Sequence, residues 1–181
     1  MRQLLVIFLL SFFCLSSCKK KQEDILADIK KNYTHINEKL KDYTRKQVDD
    51  LTTVNAGSIT GYYRDDEVKK ITAERYTDSN RVFSEYYFDD GMLIMAVKQN
   101  FVYNKPTSYT EEKAKAYGDS VWYDDKKTRM EVSRFYFNKN KLIKWIDADN
   151  VDIAVNSNDF STKQSELWAE TVILIKELKE Q

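Results

Sequence analysis

Cysteine, proline, glycine and histidine are all scarce. The 181 residues include two cysteines, one proline, four glycines and one histidine. Both cysteines, Cys14 and Cys18, fall at the start, so no disulfide can staple the rest of the chain and no thiol there can act as a nucleophile. His35 stands alone, whereas zinc and copper sites are built from clustered imidazoles and thiolates. A Ser-His-acid arrangement would have to rest on this one residue, which lies off the apolar stripe of a helix and is expected to be exposed. There is no glycine-rich phosphate loop and no dinucleotide fingerprint, and no cofactor is expected. Net charge is lacking too. With 29 basic and 29 acidic residues, the chain has no electrostatic footprint for nucleic acid. With so little glycine and proline, tight turns must be made by Asn and Asp.

The longest apolar run is short and comes first. It extends from Leu4 to Leu15, with Arg2 before it and Lys19 after it. About a dozen residues cannot span a bilayer as a helix, which takes about twenty. A short positive region followed by such a run is the pattern of a secretory signal. Leu15-Ser16-Ser17-Cys18 ends the run and resembles the lipobox of bacterial lipoproteins: an aliphatic residue, two small residues, then cysteine. The resemblance implies that residues 1–17 are removed and that the Cys18 thiol carries a diacylglyceryl group. Several acyl chains on one residue hold a protein on a membrane far better than one does. Cys14 follows the bulky Phe12 and Phe13 and is the poorer cleavage site.

Lys19-Lys20-Lys21-Gln22-Glu23-Asp24 reads as a solvated tether and resembles the lysine-then-acid export signals of Bacteroidota lipoproteins. Lys19, rather than Asp, follows the cysteine, which by the sorting rule of that family implies the outer membrane, with a periplasmic or a surface-facing domain. The expected organisation is a signal peptide at 1–17, a lipidated cysteine and charged tether at 18–24, and a single domain at 25–181.

Within that domain the period of the apolar residues changes twice. Leu26, Ile29, Tyr33, Ile36, Leu40 and Tyr43 are spaced alternately three and four, which predicts a helix over about 24–51 with one apolar stripe. Such a stripe could be a seam for another helix, but a single narrow stripe usually packs on its own domain. From Ser58 to Asp149 the chain is rich in Tyr, Phe, Val, Ile and Thr, the composition of strands. "SEYYFDDGMLIMAV" (Ser84 to Val97) matches "SRFYFNKNKLIKWI" (Ser133 to Ile146) without a gap, and "GYYRDDEVKKI" (Gly61 to Ile71) is a weaker third copy. Each copy reads as a strand, a tight turn and a returning strand, with Asp65-Asp66, Asp89-Asp90-Gly91 and Asn138-Lys139-Asn140 at the tips. A second helix is expected over roughly Ser161 to Lys179, with Ser161 and Gln164 as a capping box and Trp168 in the core. The predicted fold is therefore α+β: an antiparallel meander of about six strands flanked by an N-terminal and a C-terminal helix.

Alternation assigns the faces. Phe135 and Phe137 fall on one face with Tyr86 and Phe88; Tyr87 and Tyr136 fall on the other, which an antiparallel sheet can leave to water. Between the second and third hairpins, Asn104 to Lys127 breaks the rhythm. Pro106 stops the strand, Ser108 and Glu111 have capping-box spacing, Gly118 could end a short helix, and Trp122-Tyr123 stands near a turn. Asp119-Ser120-Val121 resembles the O-glycosylation signal of Bacteroidota envelope proteins. The whole pattern resembles small Bacteroidota lipoproteins of unknown function with tandem YYF hairpins, and the hairpin repeats of MORN-like envelope proteins; these motifs imply fold and location but no activity.

The functional expectation is a membrane-anchored binding module for a protein, peptide or glycan of the envelope, held by Tyr62, Tyr87, Trp122, Tyr123 and Tyr136, because tyrosine and tryptophan pair an apolar body with a polar tip. Two other classes are kept open. One is a hydrolase of glycan or cell wall using Asp65-Asp66, Asp89-Asp90 or Asp124-Asp125, which would need two of these carboxylates across a cleft. The other is a structural component that self-associates through the first helix. "DADNVD" (Asp147 to Asp152) offers oxygen ligands without the spacing of a calcium loop.

Overall fold

The computed structural model describes residues 21–51 and 56–180. Cys18 and the signal expected at 1–17 lie outside the described residues. Seven strands form one sheet in sequence order, each antiparallel to the next: β1 (Thr44–Asp49), β2 (Gly57–Arg64), β3 (Glu67–Tyr76), β4 (Asn80–Asp89), β5 (Met92–Val102), β6 (Arg129–Asn138) and β7 (Lys141–Ile146). Helix α1 runs through residues 21–38, α2 is the short Glu111–Ala116, and α3 is Asn158–Glu180. The α+β meander with flanking helices is thus the fold. The described elements lie between residues 21 and 180, and their largest buried side chains form two clusters, one on each face of the sheet.

The three hairpins share one design. Their tips are two-residue turns with positive φ at Asp65-Asp66, Asp90-Gly91 and Lys139-Asn140, the backbone that Asp, Asn and Gly tolerate best. Each then carries a one-residue bulge in the returning strand, at Lys69, Ile94 and Ile143. A bulge adds a residue to one strand and bends it. Here Ile94 and Ile143 join the cluster under α1. Neighbouring tips are tied: Glu67 accepts from the Gly91 N–H at 3.0 Å, and Asn140 accepts from the Leu93 N–H at 2.9 Å.

The sheet is covered on both sides. On one face Ile71, Tyr86, Ala96 and Phe135 lie side by side across four strands, under Leu167, Thr171, Leu174 and Leu178 of α3. On the other, Ile29 and Ile36 of α1 pack on Tyr87, Met95 and Val97. The tyrosine face expected to be wet is therefore largely roofed by α1, whose stripe is spent on its own sheet.

Four local expectations change. Helix α1 ends at residue 38 rather than near 51; Leu40–Asp42 make one 3₁₀ turn and Thr44–Asp49 become the edge strand β1, which raises the strand count to seven. Only Val48 of β1 is buried, so its alternation is nearly invisible, and pairing with β2 decides its conformation. Residues 21–24, expected in the tether, are already helical. Helix α3 begins at Asn158, with the Ser157 hydroxyl accepting from the Phe160 N–H, while Gln164 accepts from the Leu142 N–H instead of closing a capping box. Trp168 is 45 % exposed. It sits one position, about 100° of helix, past the buried Leu167, outside the stripe that repeats at Thr171, Leu174 and Leu178.

A candidate binding groove beside the first helix

Pairing places three of the five expected site residues on one line. Arg45, Tyr62, Lys70, Tyr87, Met95, Tyr136 and Lys144 are successive partners across all seven strands, and Tyr62, Tyr87 and Tyr136 hold the same position in the three hairpins. Their surroundings differ because α1 packs directly on Tyr87. Tyr87 is fully buried, with the Tyr33 ring edge-on at 4.8 Å, and cannot touch a ligand without removal of α1. Tyr62 and Tyr136 are half-buried on either side of it.

Beneath α1 lies a compact polar cluster. The Lys70 ammonium is 2.5 Å from Glu85 and donates to Asn37 of α1 at 2.9 Å, and it sits 4.8 Å from the centre of the Tyr87 ring. The Tyr87 hydroxyl is within 3.0 Å of Glu85 and 3.2 Å of Asn37. Burial first, and then the Glu85 charge, push the Tyr87 pKa far up, so the hydroxyl stays protonated and donates. Both charges are almost fully withdrawn from water, and each has a partner, the condition under which buried charge is tolerated.

Next to this cluster a groove of about 620 Å³ opens between α1 and strands β5 to β7. Met95, Val97, Val132 and Tyr136 form its floor, Leu26 and Tyr33 its helical wall, and Lys30, Glu85, Arg134 and Lys144 its charged positions. Glu85 is engaged by Lys70, and Lys144 is paired with Asp152 at 2.8 Å. Lys30 and Arg134 have no ion-pair or hydrogen-bond partner among the described residues. Arg134 shares a line with Glu85, but Val97 stands between them, two strand spacings or roughly 10 Å in all. The groove therefore combines an apolar floor with two uncompensated cations.

Trp122 and Tyr123 lie elsewhere. Tyr136 is seven residues along β6 from Arg129, roughly 23 Å from the end of the sheet that carries their insertion. The insertion is strapped internally. Asp78 accepts from the hydroxyls of Thr107 and Ser108, Asn104 donates to the Trp122 carbonyl at 2.8 Å, and the Tyr123 ring meets Tyr103 edge-on. Thr110, not Ser108, caps α2, and Gly118 follows it with φ of +70°. Asp119 accepts from the Val121 N–H and from Lys105, which hold its carboxyl below the usual range. Trp122 is exposed, but the five expected residues do not form one surface.

The acidic pairs do not converge. Asp65-Asp66 and Asp89-Asp90 end neighbouring hairpins, while Asp124-Asp125 lies at the opposite end of the sheet, where Asp124 caps a 3₁₀ turn. Asp147 of the acidic loop accepts from the N–H groups of Asp149 and Val151. Among the described residues no group of three or more His, Cys, Asp or Glu side chains is placed to hold a metal, His35 is exposed, and no helix is long and apolar enough to cross a membrane.

Lys70, Glu85 and Asn37 were not legible as a unit, since they come from three elements and follow no motif. Lys30 and Arg134 carried no signal beyond their charge. No protein-family model, curated protein or solved structure matches this chain.

Proposed function

We propose that this chain is a lipid-anchored protein of the cell envelope that binds a ligand in the groove beside α1. One observation carries the reading: in a chain of zero net charge, the groove sets two unpartnered cations over an apolar floor. Concave, mostly apolar sites with a few placed polar groups are where small ligands bind, and a volume of this size lies within the usual range of roughly 300–1,000 Å³. The sequence-level expectation of a tyrosine-bearing site narrows to Tyr136. The hydrolase reading has no converging acidic pair to support it.

The anchor and the site are tested separately. Cys18→Ala should move the protein from the membrane fraction to the soluble fraction; retention in the membrane would remove the anchor. Residues 19–181 contain no cysteine, so Val132→Cys offers a single thiol in the groove floor for a photo-crosslinker. Exposed to solubilised envelope, it should capture a ligand, and Tyr136→Ala should reduce capture about tenfold. If Trp122→Ala and Tyr123→Ala reduced capture while Tyr136→Ala did not, the site would lie in the β5–β6 insertion instead.

A further inference from the structure

We infer that the groove takes a single-chain amphiphile with an anionic head, an acyl chain ending in a carboxylate. The inference rests on the groove being the ligand site and goes beyond it by naming the ligand chemistry.

Three features select this class. The floor of Met95, Val97 and Val132 offers dispersion contact, alongside the Tyr136 hydroxyl and the Gln99 amide. Strand β5 is paired on both sides under Met95 and Val97, and β6 under Tyr136, so the backbone N–H and C=O groups there are committed to the sheet. A peptide laid there would leave its own main-chain groups unpaired, and a glycan its hydroxyls, each at a real desolvation cost. An acyl chain has no such groups to satisfy. The head must then answer the charges. Lys30 on the helical wall and Arg134 on the sheet lack partners, and a carboxylate can accept from both, with the Arg134 guanidinium able to engage it through two N–H groups. Glu85 does not compete, because Lys70 and Tyr87 already hold it. A cationic or neutral head of equal length would leave Lys30 and Arg134 as they are and gain nothing from them.

The test uses residues 19–181, which contain every described element of the fold, and four 16-carbon probes below their aggregation concentrations: hexadecanoate, its methyl ester, hexadecanol and hexadecylammonium. Displacement of a fluorescent fatty acid reads affinity. Hexadecanoate should bind saturably, one per chain, and the ester, alcohol and ammonium about tenfold or more weaker. Lys30→Ala and Arg134→Ala should each weaken the acid about tenfold and leave the ester unchanged; both side chains are without structural partners, so the fold should hold, as a denaturation midpoint would verify. Val132→Glu should abolish acid binding. Equal affinity for acid and ester would mean adsorption to an apolar surface and would overturn the inference, as would acid binding indifferent to Lys30→Ala and Arg134→Ala, or no saturable binding by a folded protein. If the acid fails while the Val132→Cys crosslinker still captures a ligand, the groove stands as the site and only its assigned chemistry falls. If both fail, the groove reading falls with it.

Discussion

Lys70 shows what a single side chain can contribute here. It connects Glu85 on the neighbouring strand to Asn37 on α1, so it ties sheet to helix by charge as well as by packing. Lys70→Met should cost about 3–5 kcal/mol in urea denaturation, because it leaves the Glu85 carboxylate buried without its counter-charge. Tyr87→Phe should cost only about 1 kcal/mol, since Asn37 and Glu85 keep Lys70 as a partner. Similar costs for both would mean that the Tyr87 hydroxyl contributes as much to the cluster as the Lys70 charge. The opposite face has its own network. Glu170 of α3 meets Arg75 at 2.5 Å and also Lys98, and Arg75 reaches Asp50 at 2.5 Å. Burial pushes the Glu170 pKa up, but Lys98 and Arg75 outweigh it and hold the carboxyl below its ordinary 4.5. A carboxyl whose folded pKa lies below its unfolded value stabilises the fold above the unfolded value, and that stability drains away as pH falls through the folded one. Glu170→Gln should therefore flatten the loss of stability on acidification below about pH 5. An unchanged acid limb would show that other carboxyls govern it.

At the scale of elements, the two long helices use narrow stripes, and substitutions should respect them. Ile36→Ala, on the buried side of α1, should cost about 2–4 kcal/mol through the lost methyl groups and the cavity left behind. Trp168→Ala on α3 should change stability by no more than about 0.5 kcal/mol despite removing a far larger side chain, since that ring is half in water. Denaturant midpoints that reversed this order would place Trp168 in the core after all. The hairpins were the most legible elements. A positive φ at the turn demands a residue type, so Asp65, Asp66, Asp90, Gly91 and Asn140 announce their positions without tertiary help. The end of α1 was not legible, because Leu40 and Tyr43 continue the helical spacing into a segment that leaves the helix.

For the whole molecule, a helix packs on each face of the sheet, and the stripe of α1 is spent on that packing rather than left free to recruit a second copy. The β1 edge carries Arg45 and Lys46 in the open, and the β7 edge is partly closed by the Ile146–Asp152 bridge, both of which discourage strand-to-strand association. Residues 19–181 should sediment with the mass of one chain across a hundredfold range of concentration; a mass rising with concentration would revive self-association through α1.

The sequence by itself determined the hairpin repeats, their turns, the helical stripes and the division of aromatic residues between the two sheet faces, because each depends on the local conformational preference or period of a short segment. Only the tertiary structure decided that α1 buries Tyr87 yet leaves Tyr136 half-buried, that Lys70, Glu85 and Asn37 meet, and that Lys30 and Arg134 face one groove without partners. Those facts depend on how far one helix reaches across a sheet. That reach is set by packing between segments distant in the chain, and no single segment records it.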